Sequence, residues 1–92
     1  MNKSIWKYQL EITDSQTIKM PKGAEILSVQ TQNQEVCLWA LVVPNNEKED
    51  RYIEIFGTGH NVYCDMGIDR KFIGTAQTLD GRLVWHIFER VS

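Results

Sequence analysis

The chain is poor in most of the features that announce a function. It has only two cysteines in 92 residues, Cys37 and Cys64. That is no dense cysteine framework, so a disulfide scaffold is not expected. Both thiols are read as reduced and the protein as cytoplasmic, with a Cys37–Cys64 bridge as the alternative. The two histidines, His60 and His86, and the two cysteines lack the close ligand pairs of structural zinc sites, so no metal is expected. There is no excess of charge of one sign: 10 basic against 12 acidic residues give a net charge of −2. Nothing there attracts a phosphate backbone or mimics one, which argues against a nucleic-acid partner. No apolar run approaches the ~18 residues of a membrane span, so no membrane association is expected. The first ten residues, MNKSIWKYQL, lack the apolar core of a secretory leader. Walker, HExxH, GxSxG and CxxC patterns are all missing, so neither a cofactor nor catalysis is expected. Internal repeats, low-complexity tracts and domain linkers are missing too. No window of eleven residues carries a helical period.

What is present is ordinary globular material. Hydrophobic residues make up 42% and charged residues 24%, enough apolar surface to offset chain entropy. The length suits a single domain over residues 1–92. The stretch Glu35–Pro44, EVCLWALVVP, is apolar on both faces of a strand: Val36, Leu38, Ala40 and Val42 on one, Cys37, Trp39, Leu41 and Val43 on the other. It reads as the central strand, covered on both sides. Ser4–Ile12 alternates, with Trp6, Tyr8, Leu10 and Ile12 on one face. Gln16–Met20 is a short second strand with Ile18 and Met20 inward. Met20-Pro21-Lys22-Gly23 suits a type I turn. Glu25–Gln32 is a third strand, with Leu27 and Val29 on one face. Asn33-Gln34 makes a tight hairpin turn into the central strand. Arg51–Gly57 is a fifth strand, with Tyr52 and Phe56 opposite Ile53 and Ile55. Lys71–Thr78 and Leu83–Arg90 are the sixth and seventh, joined by a type I′ signal at Leu79-Asp80-Gly81-Arg82. The seventh is largely apolar on both faces, which places it beside the central strand. Short strands at this spacing give an all-β fold, a small antiparallel sandwich or partly open barrel of about seven strands.

One loop suggests chemistry. Gly57-Thr58-Gly59-His60 combines two permissive glycines with a hydroxyl and an imidazole. Arg70 and Lys71 close the irregular segment that follows. Together Gly57, Thr58, Gly59, His60, Arg70 and Lys71 are the candidate ligand-binding residues, suited to a small anionic ligand held by backbone N–H groups. The bland reading is a turn in which His60 caps a loop carbonyl. His86, on an otherwise apolar strand, reads as a satisfied core residue. Trp6, Trp39, Trp85 and Phe88 read as core, with a stacking surface as the alternative.

The pattern IWKYQLEITDSQTIKMPKGAEILSVQTQNQEVCLWALV, followed by IFGTGH, FIGTAQ and LVWHIFE, resembles a family of small proteins of unknown function found in phages, prophages and bacteria. The resemblance runs from Ile5 to Glu89. It implies a setting, a phage or prophage accessory protein, and no mechanism. In that setting the first expectation is a non-catalytic protein that binds a host component, in counter-defence for instance: a host protein or a small anionic signalling ligand. A structural protein that self-assembles into homo-oligomers through sheet edges or an apolar face is the alternative. An enzyme using His60, oriented by Asp65 or Asp69, comes last, because nothing positions a partner for the imidazole.

Overall fold

A computed structural model describes residues 2–64 and 67–91. Among them the chain forms seven strands: β1 (Ser4–Gln9), β2 (Ser15–Pro21), β3 (Glu25–Gln32), β4 (Glu35–Val42), β5 (Lys48–Gly57), β6 (Arg70–Thr78) and β7 (Leu83–Arg90). They make two antiparallel sheets, ordered β1-β4-β3 and β2-β5-β7-β6. The described residues contain no helix and no closed barrel. The expected all-β architecture of about seven strands is the one observed.

The core lies between the sheets. β4 contributes Val36, Leu38, Ala40 and Val42, all buried, as the alternation predicts. They face Met20 of β2, Ile53 and Ile55 of β5, Ala76 of β6 and Ile87 of β7. β4 is the middle strand of its sheet. Its other face is not fully covered, however: Cys37 is buried but Trp39 and Leu41 are half-exposed. The outer face of a two-layer sandwich meets water, so Trp39 is not a core residue. Trp6 and Trp85 do pack against the core cluster. Phe88 turns to the outer face of the second sheet, where Phe56 and Phe72 touch its ring. β7 does not lie beside β4 either. It runs between β5 and β6 in the other sheet, and its second face is the aromatic outer face of that sheet.

Local chemistry moves several element ends. Ile12 is 47% exposed and outside β1, because the chain crosses from one sheet to the other over Leu10–Asp14. Leu10 N still donates to Val36 O (2.8 Å), and Ile55 N to Asp14 O (3.1 Å), so each pairing extends into the crossover. The turn after β2 is shifted by one residue. Ala24 N donates to Pro21 O (3.1 Å), and Gly23, at φ 81°, takes the third position as in a type II turn. Pro21 is therefore the last residue of an edge strand, a place where a missing N–H costs nothing. Asn33 and Gln34 both adopt positive φ, as a two-residue primed turn requires. At the β6–β7 hairpin, Leu79 and Asp80 as well as Gly81 have positive φ, so the left-handed stretch begins one residue earlier than Asp80-Gly81 suggests. β5 begins at Lys48, because the polar NNEKED run enters the strand by pairing with β2.

The sheets meet closely at one corner. β3 has a bulge at Leu27 and β6 one at Ile73. The bulge lets Ile26 and Val29 both reach the core while Leu27 is left exposed, which a plain alternation cannot produce. Gly74 lies against Val29: a Cβ there would come within 2.7 Å of Val29 Cγ1. Thr31 Oγ1 donates to Gln77 O, and Leu79 N donates to Gln34 Oε1 (3.0 Å), tying the two hairpins together. β1 and β2 are the other two edge strands, and no pairing joins them.

Candidate functional site

The Gly57–His60 segment is a closed turn. His60 N donates to Gly57 O (3.0 Å), and Gly59, at φ 89°, occupies the third position of a type II turn. The imidazole folds back over Gly57, and its Nδ1 accepts the Gly57 N–H (3.1 Å). Nδ1 is therefore the acceptor nitrogen of the ring. A Cβ on Gly57 would meet the His60 ring at 2.8 Å, so this glycine makes room for the imidazole. The ring caps a backbone donor, where the sequence reading had it cap a carbonyl. That N–H is then not available to an incoming anion.

Arg70 and Lys71 are not brought to this turn. Gly57 is paired with Trp85, whereas Arg70 is paired with Arg90, five residues further along β7, roughly 17 Å at strand rise. Arg70 instead forms an ion pair with Glu54 (2.6 Å) and donates to Tyr63 O (2.6 Å). Lys71 lines a cavity of about 250 Å3 with Arg51 and Glu89. The cation that does approach the turn is Arg82. With Gly57, Thr58, His60 and Trp85 it lines a cavity of about 340 Å3. Asp69 belongs to the far end too, where its carbonyl accepts Val91 N (2.8 Å). Asp65 lies outside the described residues.

His86 is satisfied, though not in the core. Its Nε2 is 2.8 Å from Thr58 Oγ1 and its Nδ1 is 3.1 Å from Thr75 Oγ1, so it ties the turn after β5 to β6 on the outer face. Thr58 is thus committed to His86. Cys37 is buried and Cys64 exposed, and both thiols are free.

The feature that stands out is the outer face of the β2-β5-β7-β6 sheet. The outward row through Tyr52 runs Thr17, Tyr52, Arg90, Arg70. The next runs Ser15, Glu54, Phe88, Phe72, and Phe56 follows beside His86. Phe88 is packed edge-to-face with Phe56 (5.6 Å) and Phe72 (5.2 Å). The Arg70 guanidinium lies 5.5 Å from the Phe56 ring centre. A solvated sheet face is ordinarily polar. This one holds four aromatic side chains, of which Phe72 is 55% and Tyr52 52% exposed. On the β2 side the short side chains of Ser15 and Thr17 lie next to the taller Tyr52 and Glu54, which leaves a groove of about 560 Å3 closed by Arg90 and Val91. Sequence reasoning offered a stacking surface as an alternative on Trp6, Trp39, Trp85 and Phe88; of these four the structure puts Phe88 alone on this face, while Trp6 and Trp85 pack on the core. The signal was there in Tyr52 and Phe56, aromatic on the side of β5 opposite Ile53 and Ile55.

Beneath it, between the sheets, Arg51 and Glu89 form a bidentate ion pair with side chains 15% and 9% exposed. Arg51 Nη1 also donates to Ala24 O (2.8 Å), which reaches the lead-in to β3. The Glu89 carboxylate pushes the Arg51 pKa up against the opposing effect of desolvation. The pair is a structural clamp with its hydrogen bonds filled. Among the described residues no group of three His, Cys, Asp or Glu side chains could hold a metal ion.

Fold and face together define a small two-sheet β protein with an aromatic solvent face. The chain belongs to the family described as "Domain of unknown function (DUF7352)", whose model matches residues 1–92. No curated protein and no solved structure matches it.

Proposed function

We propose that this is a non-catalytic binding protein that acts by docking a host protein on the outer face of the β2-β5-β7-β6 sheet. The observation that carries the reading is the half-exposed aromatic set Tyr52, Phe56, Phe72 and Phe88 with Arg70 and Arg90 among it. Aromatic and arginine side chains are the residues enriched at interfaces and at their hot spots. The setting is that of a phage or prophage accessory protein in the cytoplasm, on the strength of the motif pattern, and counter-defence is the role such a setting suggests. Capture from host lysate, followed by mass spectrometry, tests the reading. Tyr52→Ala and Phe72→Ala should fold normally and lose the captured protein, each weakening binding by about tenfold or more. Variants that fold and capture the same protein as before would remove this face as the site.

A small anionic ligand beside Gly57–His60 is the second reading, favoured by Arg82 on the cavity wall. It predicts that Arg82→Ala weakens the ligand and that Arg70→Ala does not. Gly59→Val does not separate a site from a plain turn, because at φ 89° a β-branched side chain strains the turn even though it meets open space.

A further inference from the structure

We propose that the free edge of β2 is a self-pairing surface, and that two copies of this chain join there into one continuous sheet. Each sheet has two edge strands. β3 and β6 pack against each other at the closed corner, which leaves β1 and β2 as the open edges. Hydrogen-bond phase decides what β2 presents. Ile55 N donates to Asp14 O, and Asp14 lies opposite Ile55 by continuation of the Ser15–Glu54 register. Asp14, Gln16, Ile18 and Met20 therefore turn their backbone groups toward β5, and Ser15, Thr17 and Lys19 turn theirs outward. Thr13 Oγ1 donates to the Ser15 carbonyl (3.1 Å), as an outward carbonyl permits, and that oxygen keeps a second lone pair.

An antiparallel two-fold pairing uses every outward donor in one register only, the one centred on Thr17. Thr17 then faces Thr17 of the second copy, and Ser15 faces Lys19. The arrangement is self-complementary. A Thr–Thr pair is favourable directly across strands, and the two lysines are kept apart. Shifting the centre toward Lys19 would bring Pro21, which has no N–H, into the ladder or set lysine against lysine. Lys19 of the second copy also arrives beside Ser15, at the mouth of the groove that Glu54 lines. β1 fails the same test. By the Leu10–Val36 bond its outward residues are Ile5, Lys7 and Gln9, so the equivalent register sets Lys7 against Lys7. Lys19 guards β2 less than a free lysine would, because Asp50 holds its ammonium at 2.7 Å. Pairing lays the two aromatic faces side by side and doubles the docking surface.

The test is light scattering coupled to size exclusion, over a concentration series from micromolar to millimolar. The wild type should pass from monomer to dimer. Thr17→Pro removes an outward N–H and no bond to β5, and should stay monomeric. Thr17→Lys keeps the backbone intact, opposes two charges at the axis, and should weaken the dimer by about tenfold or more. Lys7→Pro makes the same backbone change on β1 and should dimerise as the wild type does. At high concentration the Thr17 and Lys19 amides should gain protection from hydrogen exchange. A wild type that stays monomeric at millimolar concentration overturns the proposal. So does a dimer indifferent to both Thr17 changes, or capture of another protein's strand at β2 in place of a second copy.

Discussion

Tyr8 packs its ring against the core cluster but leaves its hydroxyl buried without a hydrogen-bond partner among the described residues. A buried donor left unmade costs more than a made bond returns. Tyr8→Phe should therefore hold or raise stability, by on the order of 1 kcal/mol, read as the urea midpoint. Burial pushes the Tyr8 pKa above its usual value of 10.0, with the Arg51 charge opposing. The folded state therefore keeps the phenolic proton longer than the unfolded chain does. That contribution is fully present below the ordinary tyrosine value and is lost as pH rises through the folded one. The wild type should lose stability in that alkaline window, and Tyr8→Phe should lose less of it. Leu38 and Trp39 make a second pair of expectations. Leu38 is wholly buried, so Leu38→Ala should cost about 2–5 kcal/mol. Trp39 faces outward and is half-exposed, and Trp39→Ala should cost clearly less. In the sequence the two looked equally internal. An apolar run has no marker for which face meets the second sheet, and that information lies in the outer row of β1 and β3: Lys7, Ser28 and Gln30 beside Trp39 and Cys37.

Elements were legible where their chemistry is local. The period-two alternation placed all seven strands, and Asn33-Gln34 made its turn even though glutamine seldom adopts positive φ. Bulges and sheet membership were not legible, since each depends on a partner far along the chain. Gly74 shows the difference. In sequence it is one more glycine in FIGTAQ; in the fold it is where β6 approaches β3, and Val29 fills the space a side chain would need. Gly74→Ala should destabilise the domain by about 1–3 kcal/mol, the range for overpacking a closed contact. Gly59→Ala meets open space but must take φ 89°, which costs about 1–2 kcal/mol and is confined to the turn. Thermal unfolding of the two variants separates them only partly. In a denaturant series both variants should have midpoints below wild type, the Gly74 variant at least as far below as the Gly59 variant. The candidate site divides the same way. The turn from Gly57 to His60 was readable from its glycines. Its separation from Arg70 and Lys71 was not, because residues near in sequence lie at opposite ends of β6 and β7 once the hairpin forms.

At the scale of the whole molecule, protection should follow position in the two sheets. β4 lies between β1 and β3, and β5 and β7 each have a neighbour on both sides. Their amides are bonded within the sheet and lie over the core, so they should open only with the domain as a whole. β1 and β2 have one neighbour each, and alternate residues turn their N–H groups to water. Hydrogen exchange in dilute solution should therefore split each edge strand by residue parity. Ile5, Lys7, Thr17 and Lys19 should exchange at close to open-chain rates, while Tyr8 and Ile18 should be retained with their partner strands. The Arg51–Glu89 clamp adds a further expectation, because it joins β5 to β7 and through Ala24 reaches the other sheet. Both sheets should lose protection in a single step as denaturant rises, since neither has a core without the other. Two separate steps, with the β1-β4-β3 amides released before the rest, would mean that the three-stranded sheet is only loosely docked. Equal protection at odd and even positions of β2 in dilute solution would mean that its edge is already covered, and the outward row at Ser15, Thr17 and Lys19 would no longer be the surface that a second copy meets.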